Sequence, residues 1–261
     1  VTRIITAAVL LPIVLGIVWY LPPVATFVLV AVVVVLAFFE YATLARRLSE
    51  AFPTTLSAIA TLATCAALAS GVALEVVLAP AMIAIGTVAL AGVRPSEDVL
   101  RTVAVAAFPV LYLGVPLGLV CVIREGWGAA VLMLPFLAIV VSDSAQYFGG
   151  RAFGRVPLAP AISPKKTVEG AVCGLLATLV VVPWMGRTVV PTIGWLPLAA
   201  LALLLAGVGI AGDLFESLLK RSVGVKDSSA LIPGHGGMLD RIDALLFAFP
   251  TWYVFLRLWP Q

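Results

Sequence analysis

The sequence predicts an all-α, polytopic integral membrane protein of about nine transmembrane helices, with its N-terminus and its polar loops on the cytoplasmic face. Three observations predict it. Apolar residues make up 62% of the 261-residue chain and charged residues only 11%, against roughly 25% charged in soluble domains, and mean hydropathy is +1.17. So few polar residues cannot cover a water-facing surface, which excludes a soluble domain, a disordered chain and a coiled coil. The apolar residues also fall into runs near the length a helical span requires, about 20 residues with roughly 17 as the lower limit. Finally, the cations segregate to alternate loops.

Read in order, with charge, proline or glycine ending each run, the spans lie at about 4–20, 23–39, 54–71, 74–92, 104–122, 127–147, 168–186, 195–213 and 242–257. Leu21-Pro22 alone parts the first two, and that close succession fits a retained signal-anchor better than a cleaved signal peptide. The third and fourth are split only near Gly71 and Glu75. With nine spans, thirteen of the sixteen Lys and Arg residues share the face of the N-terminus, and Arg124, Arg187 and Arg257 take the other. By the positive-inside rule the first face is cytoplasmic, which predicts a multi-pass protein of the cell (plasma or inner) membrane. The net charge of +3 is too small to argue for nucleic acid. Cys65, Cys121 and Cys173 lie in apolar runs without metal-ligand spacing and read as buried small hydrophobes.

Charge is concentrated late in the chain. Residues 143–169 and 211–243 hold 15 of the 29 charged residues, all on the predicted cytoplasmic face. Residues 1–126 therefore read as a transmembrane scaffold of about five helices. Residues 127–261 read as a catalytic region of about four helices with two polar cytoplasmic loops.

Asp143 sits near the cytoplasmic end of the sixth span, where an ionisable group is costly unless paired or facing water. The following Gly149-Gly150-Arg151-Ala152-Phe153-Gly154-Arg155 reads as a glycine-rich turn. It lacks the Lys-Ser/Thr of a phosphate loop, yet its glycines and two guanidinium groups suit phosphate oxygens. Next, Ser163-Pro164-Lys165-Lys166-Thr167 precedes the seventh span. Ser163 or Thr167 could cap that helix, and its N-terminal amides with the lysines would make an anion site.

If the end of the eighth span stays helical, Asp213, Glu216, Ser217 and Lys220 share one face at i, i+3, i+4 and i+7. Two carboxylates beside a hydroxyl and an ammonium suggest oxygen ligands for Mg²⁺ with a phosphate partner. A self-neutralising Glu216–Lys220 pair is the competing reading. The loop beyond carries Lys226-Asp227 and the only histidine, His235, among Gly234, Gly236 and Gly237. Asp240 and Asp243 open the last span, where they could cap the helix or bind metal.

The run Ser217-x-Leu219-Lys220-Arg221, four residues, Lys226-Asp227-x-Ser229-x-x-Ile232-Pro233-x-His235-Gly236-Gly237-Met238-x-Asp240-Arg241-Ile242-Asp243 resembles the signature of the phosphatidate cytidylyltransferases, also called CDP-diacylglycerol synthases. So does the upstream pattern Asp143-Ser144, Tyr147, Gly150-Arg151, Gly154-Arg155, Pro160, Ser163-Pro164-x-Lys166-Thr167, with Gln146 standing where a small residue is expected. The resemblance covers residues 143–243. It implies a Mg²⁺-dependent reaction of CTP with phosphatidic acid, giving CDP-diacylglycerol and pyrophosphate. It also implies a homodimer and a paired metal centre with K⁺ as the candidate second ion. The family's metal-binding aspartates correspond to Asp213 and Asp240; Glu216 and Asp243 are further candidate oxygen ligands.

Lys220, Lys226 and Arg241 join Asp213 and Asp240 as candidate catalytic residues. Asp143, Tyr147, Gly150, Arg151, Ser163, Lys166, Thr167, Ser217, Arg221, Asp227, His235, Gly236 and Gly237 are candidates for substrate binding. A CDP-alcohol phosphotransferase would carry Asp-Gly dipeptides, which this chain lacks. A CTP-dependent lipid-alcohol kinase would need a base for its hydroxyl. An ion-coupled secondary transporter, using Asp143, Asp213 and Glu216, is the reading from another class.

Overall fold

The computed structural model describes residues 12–92, 98–226, 229 and 236–259. Eight α-helices are complete within them, and residues 12–20 (α1) are helical as well. The others are α2 (Pro23–Leu48), α3 (Thr54–Ala69), α4 (Leu74–Gly92), α5 (Asp98–Pro109), α6 (Val115–Phe153), α7 (Val168–Val189), α8 (Trp195–Ser222) and α9 (Leu239–Leu258). The all-α membrane class is thus as the composition predicts. Among the described residues, five stretches are long and apolar enough to cross a bilayer: Pro23–Leu48, Leu74–Ala91, Asp98–Phe153, Val168–Val189 and Trp195–Ser222.

Several boundaries differ from the sequence reading. The helix α2 continues nine residues past the expected end at 39, because Glu40 is buried inside it and does not terminate it. The 16 residues of α3 fall short of the expected span over 54–71. The fifth and sixth expected spans are continuous from Asp98 to Phe153 except at two places. A single π turn, Val110–Gly114, follows Pro109, whose missing N–H disturbs the regular ladder. At Gly128, φ of +88° and ψ of 177° break the helix, a backbone state that glycine alone adopts readily. The helix α8 runs nine residues past the expected end at 213, so Asp213–Arg221 is helical.

The chain divides into two compact units, Val1–Gly126 with Ser222–Arg241, and Trp127–Arg221 with Ile242–Gln261. In the first, α3 packs against α2, α4, α5 and the π turn. Small residues allow the close approach: a Cβ on Gly114 would stand 2.8 Å from the Thr61 carbonyl oxygen. Arg124 closes the end of α1, its guanidinium donating to the carbonyls of Val18 (2.9 Å) and Leu21 (3.1 Å).

In the second unit, the later part of α6 meets α7 along a seam of small residues. Hypothetical Cβ atoms on Gly170 and Gly174 would lie 2.7 Å from the Gln146 carbonyl oxygen and from Gln146 Cγ, the close packing that small residues permit between membrane helices. Trp252 of α9 is fully buried, and its indole N–H donates to the Val131 carbonyl at 3.0 Å. Between α6 and α7 lies a feature the sequence reading did not anticipate. Pro157–Ala159 (β1) pairs antiparallel with Ser163–Thr167 (β2), with Pro157 opposite Thr167 and Ala159 opposite Ser163. Pro157, Pro160 and Pro164 disfavour helix here and push the residues before them to extended backbone.

Candidate active site

The second unit gathers acidic side chains from three helices around one lysine. Asp143 comes from α6, Asp213 from α8 and Asp243 from α9, while Lys166 comes from β2. All four lie within electrostatic reach of one another. The Lys166 ammonium stands 2.5 Å from Asp213 Oδ2, with both side chains only partly exposed. Close helix contacts set these spacings. A Cβ on Gly212 would lie 2.7 Å from the Asp243 carbonyl oxygen, so only glycine lets α8 approach α9 this closely beside Asp213.

Lys166 is placed by its strand, and the strand is anchored by the start of α7. Thr167 is the N-cap of α7, its Oγ1 accepting from the Gly170 N–H at 3.1 Å. That settles the cap between the two expected alternatives, since Ser163 instead begins β2. Glu169 reaches back and accepts from the backbone N–H groups of Arg155 (3.0 Å) and Val156 (3.2 Å).

Gly149, Gly150 and Arg151 do not form the expected turn; they lie within the helical end of α6, which runs on to Phe153. A Cβ on Gly150 would lie 3.0 Å from Thr167 Oγ1, so this glycine serves helix packing. Arg151, Arg155 and Tyr147 are exposed. Gln146 is built into the site, its amide donating to Ser142 Oγ (3.1 Å) and Asp143 Oδ1 (3.2 Å).

The stripe on α8 exists as the periodicity requires. Within it Glu216, 1% exposed, pairs with Lys220 at 2.5 Å, the pair that competed with the metal reading. Ser217 is half-buried on the same face, and Arg221 Nε points toward the Ile162 carbonyl at a long 3.4 Å.

In the first unit, Asp240 Oδ2 accepts from the Gly237 N–H at 2.9 Å. Gly236 adopts φ of +78° beside that carboxylate. Lys226 and Arg241 are exposed. Asp227 and His235 lie outside the described residues.

The donor set suits a hard divalent cation, because carboxylate oxygens favour Mg²⁺ over zinc. Asp213 already carries a cationic partner in Lys166. Among the described residues no three His, Cys, Asp or Glu side chains converge tightly enough to form a ready metal centre.

Two contributors were missed by the sequence reading. Glu169 had a usable signal, a carboxylate two residues after a capping threonine. Glu40 had another, a single acidic residue in a helix-length apolar run. Its Oε1 accepts from Ser229 Oγ (2.6 Å) and the Met238 N–H (2.8 Å), and its Oε2 from the Leu239 N–H (2.8 Å).

Several known proteins resemble this chain along much of its length. The chain is 35% identical over 199 residues, 75% of its own length and 71% of the relative's, to the phosphatidate cytidylyltransferase of Helicobacter pylori strain J99. It is 38% identical over 173 residues, 63% of each chain, to that of Thermotoga maritima. With the phosphatidate cytidylyltransferase of Haemophilus influenzae it shares 42% over 132 residues, 49% of this chain and 46% of the other. Residues 1–259 match the model of the Cytidylyltransferase family. The chain therefore belongs to that family and is a nucleotidyltransferase enzyme.

Proposed function

We propose that the chain transfers CMP from CTP to phosphatidic acid, giving CDP-diacylglycerol and pyrophosphate, the committing step into phospholipids made by way of CDP-diacylglycerol. The observation that carries this reading is the gathering of Asp143, Asp213 and Asp243 around Lys166, in a chain whose relatives bear that activity's name. The transporter reading has no support among the relatives.

The chemistry asks little of the protein by way of proton transfer. A phosphate monoester has its second pKa near 6 and is largely dianionic at neutral pH. The lipid phosphate can therefore attack the CTP α-phosphate without a general base, and pyrophosphate leaves. What the chain must supply is in-line placement of two polyanions and neutralisation of their charge. Lys166, Lys220, Arg221, Lys226 and Arg241 are proposed to hold the triphosphate and the leaving pyrophosphate. Asp143, Tyr147, Arg151 and Thr167 would line the substrate path, and Gly236 and Gly237 would let backbone approach the nucleotide.

Asp213 and Asp240 are the proposed Mg²⁺ ligands, with Glu216 and Asp243 as further oxygen donors; bound there, Mg²⁺ would neutralise phosphate charge. A second ion, K⁺, and a homodimer belong to the same reading. So do nine crossings with a cytoplasmic N-terminus, supported by the thirteen-to-three division of cations. A site on that face lets an acidic lipid meet soluble CTP without leaving its leaflet.

The test is pyrophosphate release by purified protein in detergent–phosphatidate mixed micelles supplied with CTP and Mg²⁺. Release that depends on both substrates and disappears with EDTA or Asp240→Ala is expected. Release that survives Asp240→Ala would remove that metal assignment, and no release from folded, lipid-supplied protein would overturn the function.

A further inference from the structure

Glu40 is the only acidic residue in α2, a 26-residue helix, and it is 3% exposed. An ionisable group so placed is costly in a membrane helix unless its polar atoms are satisfied. Among the described residues its carboxyl accepts from Ser229 Oγ and from the Met238 and Leu239 N–H groups, all in a segment about 190 residues later. Met238 and Leu239 are the entry to α9, where the first N–H groups of a helix have no acceptor within it. A carboxylate there also meets the positive end of the helix dipole. Glu40 therefore acts as an N-cap supplied by a different helix.

Which amides it grips matters more than the capping itself. Met238 and Leu239 lie between Gly237, whose N–H binds Asp240 Oδ2, and Asp240. Holding two consecutive N–H groups with two oxygens of one carboxyl fixes the intervening peptide plane. That in turn sets the direction in which Asp240 leaves the helix start. We infer that Glu40 is a positioning residue for Asp240, clamping the Met238–Leu239 amides so that this carboxylate is held ready for a divalent cation. The inference rests on the cytidylyltransferase reading for the purpose of Asp240.

The discriminating variant is Glu40→Gln, which keeps size and shape but offers one acceptor oxygen and an NH₂ donor. At least one of the two clamped N–H groups must then face a donor. Ser229→Ala is the milder companion, removing the hydroxyl donor to Glu40 and leaving both amides held. Three measurements on the full chain in detergent are needed: Mn²⁺ affinity by electron paramagnetic resonance without substrates, hydrogen exchange over 236–241, and CDP-diacylglycerol formation titrated separately in Mg²⁺ and phosphatidate.

For Glu40→Gln, the Mn²⁺ dissociation constant and the Mg²⁺ activation midpoint should rise about tenfold or more, and exchange at Met238 and Leu239 should quicken. KM for phosphatidate should stay within about twofold. Ser229→Ala should move the metal constants the same way by about two- to threefold. Unchanged Mn²⁺ affinity in folded Glu40→Gln would overturn the inference, as would a uniform loss in which every parameter reports only less active protein. If Glu40→Gln fails to fold, unchanged Mn²⁺ affinity in Ser229→Ala overturns it. Wild-type protein that binds Mn²⁺ in a Glu40-dependent way yet makes no CDP-diacylglycerol would sink the functional reading and leave the clamp standing.

Discussion

Replacing Gly212 by alanine tests whether the approach of α8 to α9 sets the spacing of the acidic cluster. The added methyl would stand 2.7 Å from the carbonyl oxygen of Asp243, 3.1 Å from Cα of Ala244 and 3.2 Å from Cδ2 of Phe247. Carbon atoms settle near 3.5–4.0 Å from such neighbours. Two of the three obstacles are backbone and cannot swing aside, so the helices must part by several tenths of an ångström. Overpacking of this kind costs about 1–3 kcal/mol.

The displacement falls between Asp213, next to the substituted residue, and Asp243, whose own carbonyl is struck. A misplacement approaching 1 Å can cost about 100-fold in rate, so a loss on the order of 10- to 100-fold is expected. Gly207→Ala is the control. It lies five residues earlier in α8 with no neighbour within 4 Å of the added Cβ, and should gain only the helical preference of alanine, about 0.5–1 kcal/mol. Thermal unfolding in detergent and CDP-diacylglycerol formation should both separate the pair, with Gly212→Ala lower in each. Equal unfolding midpoints and equal turnover in the two variants would refute the reasoning.

Other substitutions probe the remaining supports. Trp252→Phe leaves the buried Val131 carbonyl without its 3.0 Å donor, and should destabilise by about 1–3 kcal/mol, read as a lower unfolding midpoint. Thr167→Ala removes the N-cap of α7 and should cost about 1 kcal/mol, while Thr167→Ser should restore most of it. Lys166→Met should lower turnover by at least about 100-fold, because its ammonium is the partner of Asp213. Lys165→Met, on the opposite face of the same strand, should stay within a few fold.

The features legible in the sequence are those that follow from one-dimensional patterning. Run length gives most of the helices. The i, i+3, i+4, i+7 spacing places Asp213, Glu216, Ser217 and Lys220 on one face of α8 because that periodicity is a property of the helix alone. Glu40 stood out in its apolar run, but its partners were not legible, for the opposite reason. A charge in an apolar run ends a span when runs are counted, and only a partner far along the chain can keep such a residue inside the helix. Gly149 and Gly150 misled similarly, since glycine marks a turn and a tight helix crossing equally well; the choice depends on α7, which supplies Thr167, Gly170 and Cys173 opposite them. The β1–β2 hairpin escaped because its strands are three and five residues long, too short for any alternation to register among three prolines.

The same electrostatics explain why the acidic cluster would need a cation to serve a polyanion. Two like charges 4 Å apart interact by about 4 kcal/mol even at an effective dielectric of 20. Three carboxyl groups near a single ammonium therefore resist a triphosphate more than they attract it. A divalent cation reverses that sign, and its preference for oxygen directs it to the carboxylates. On the proposed reading, Lys166 and Mg²⁺ compete for Asp213. The metal gains most when Lys166 turns toward a phosphate, and Lys166 turns most readily when the phosphate is present. Metal and nucleotide must then strengthen each other's binding by the same factor, since linkage is reciprocal. The coupling should weaken in Lys166→Met, where Asp213 has no competing ammonium to release and only the direct attraction of cation and phosphate remains: CTP would then improve Mn²⁺ binding less than in the unaltered chain, and persistence of the full coupling would remove Lys166 from this role.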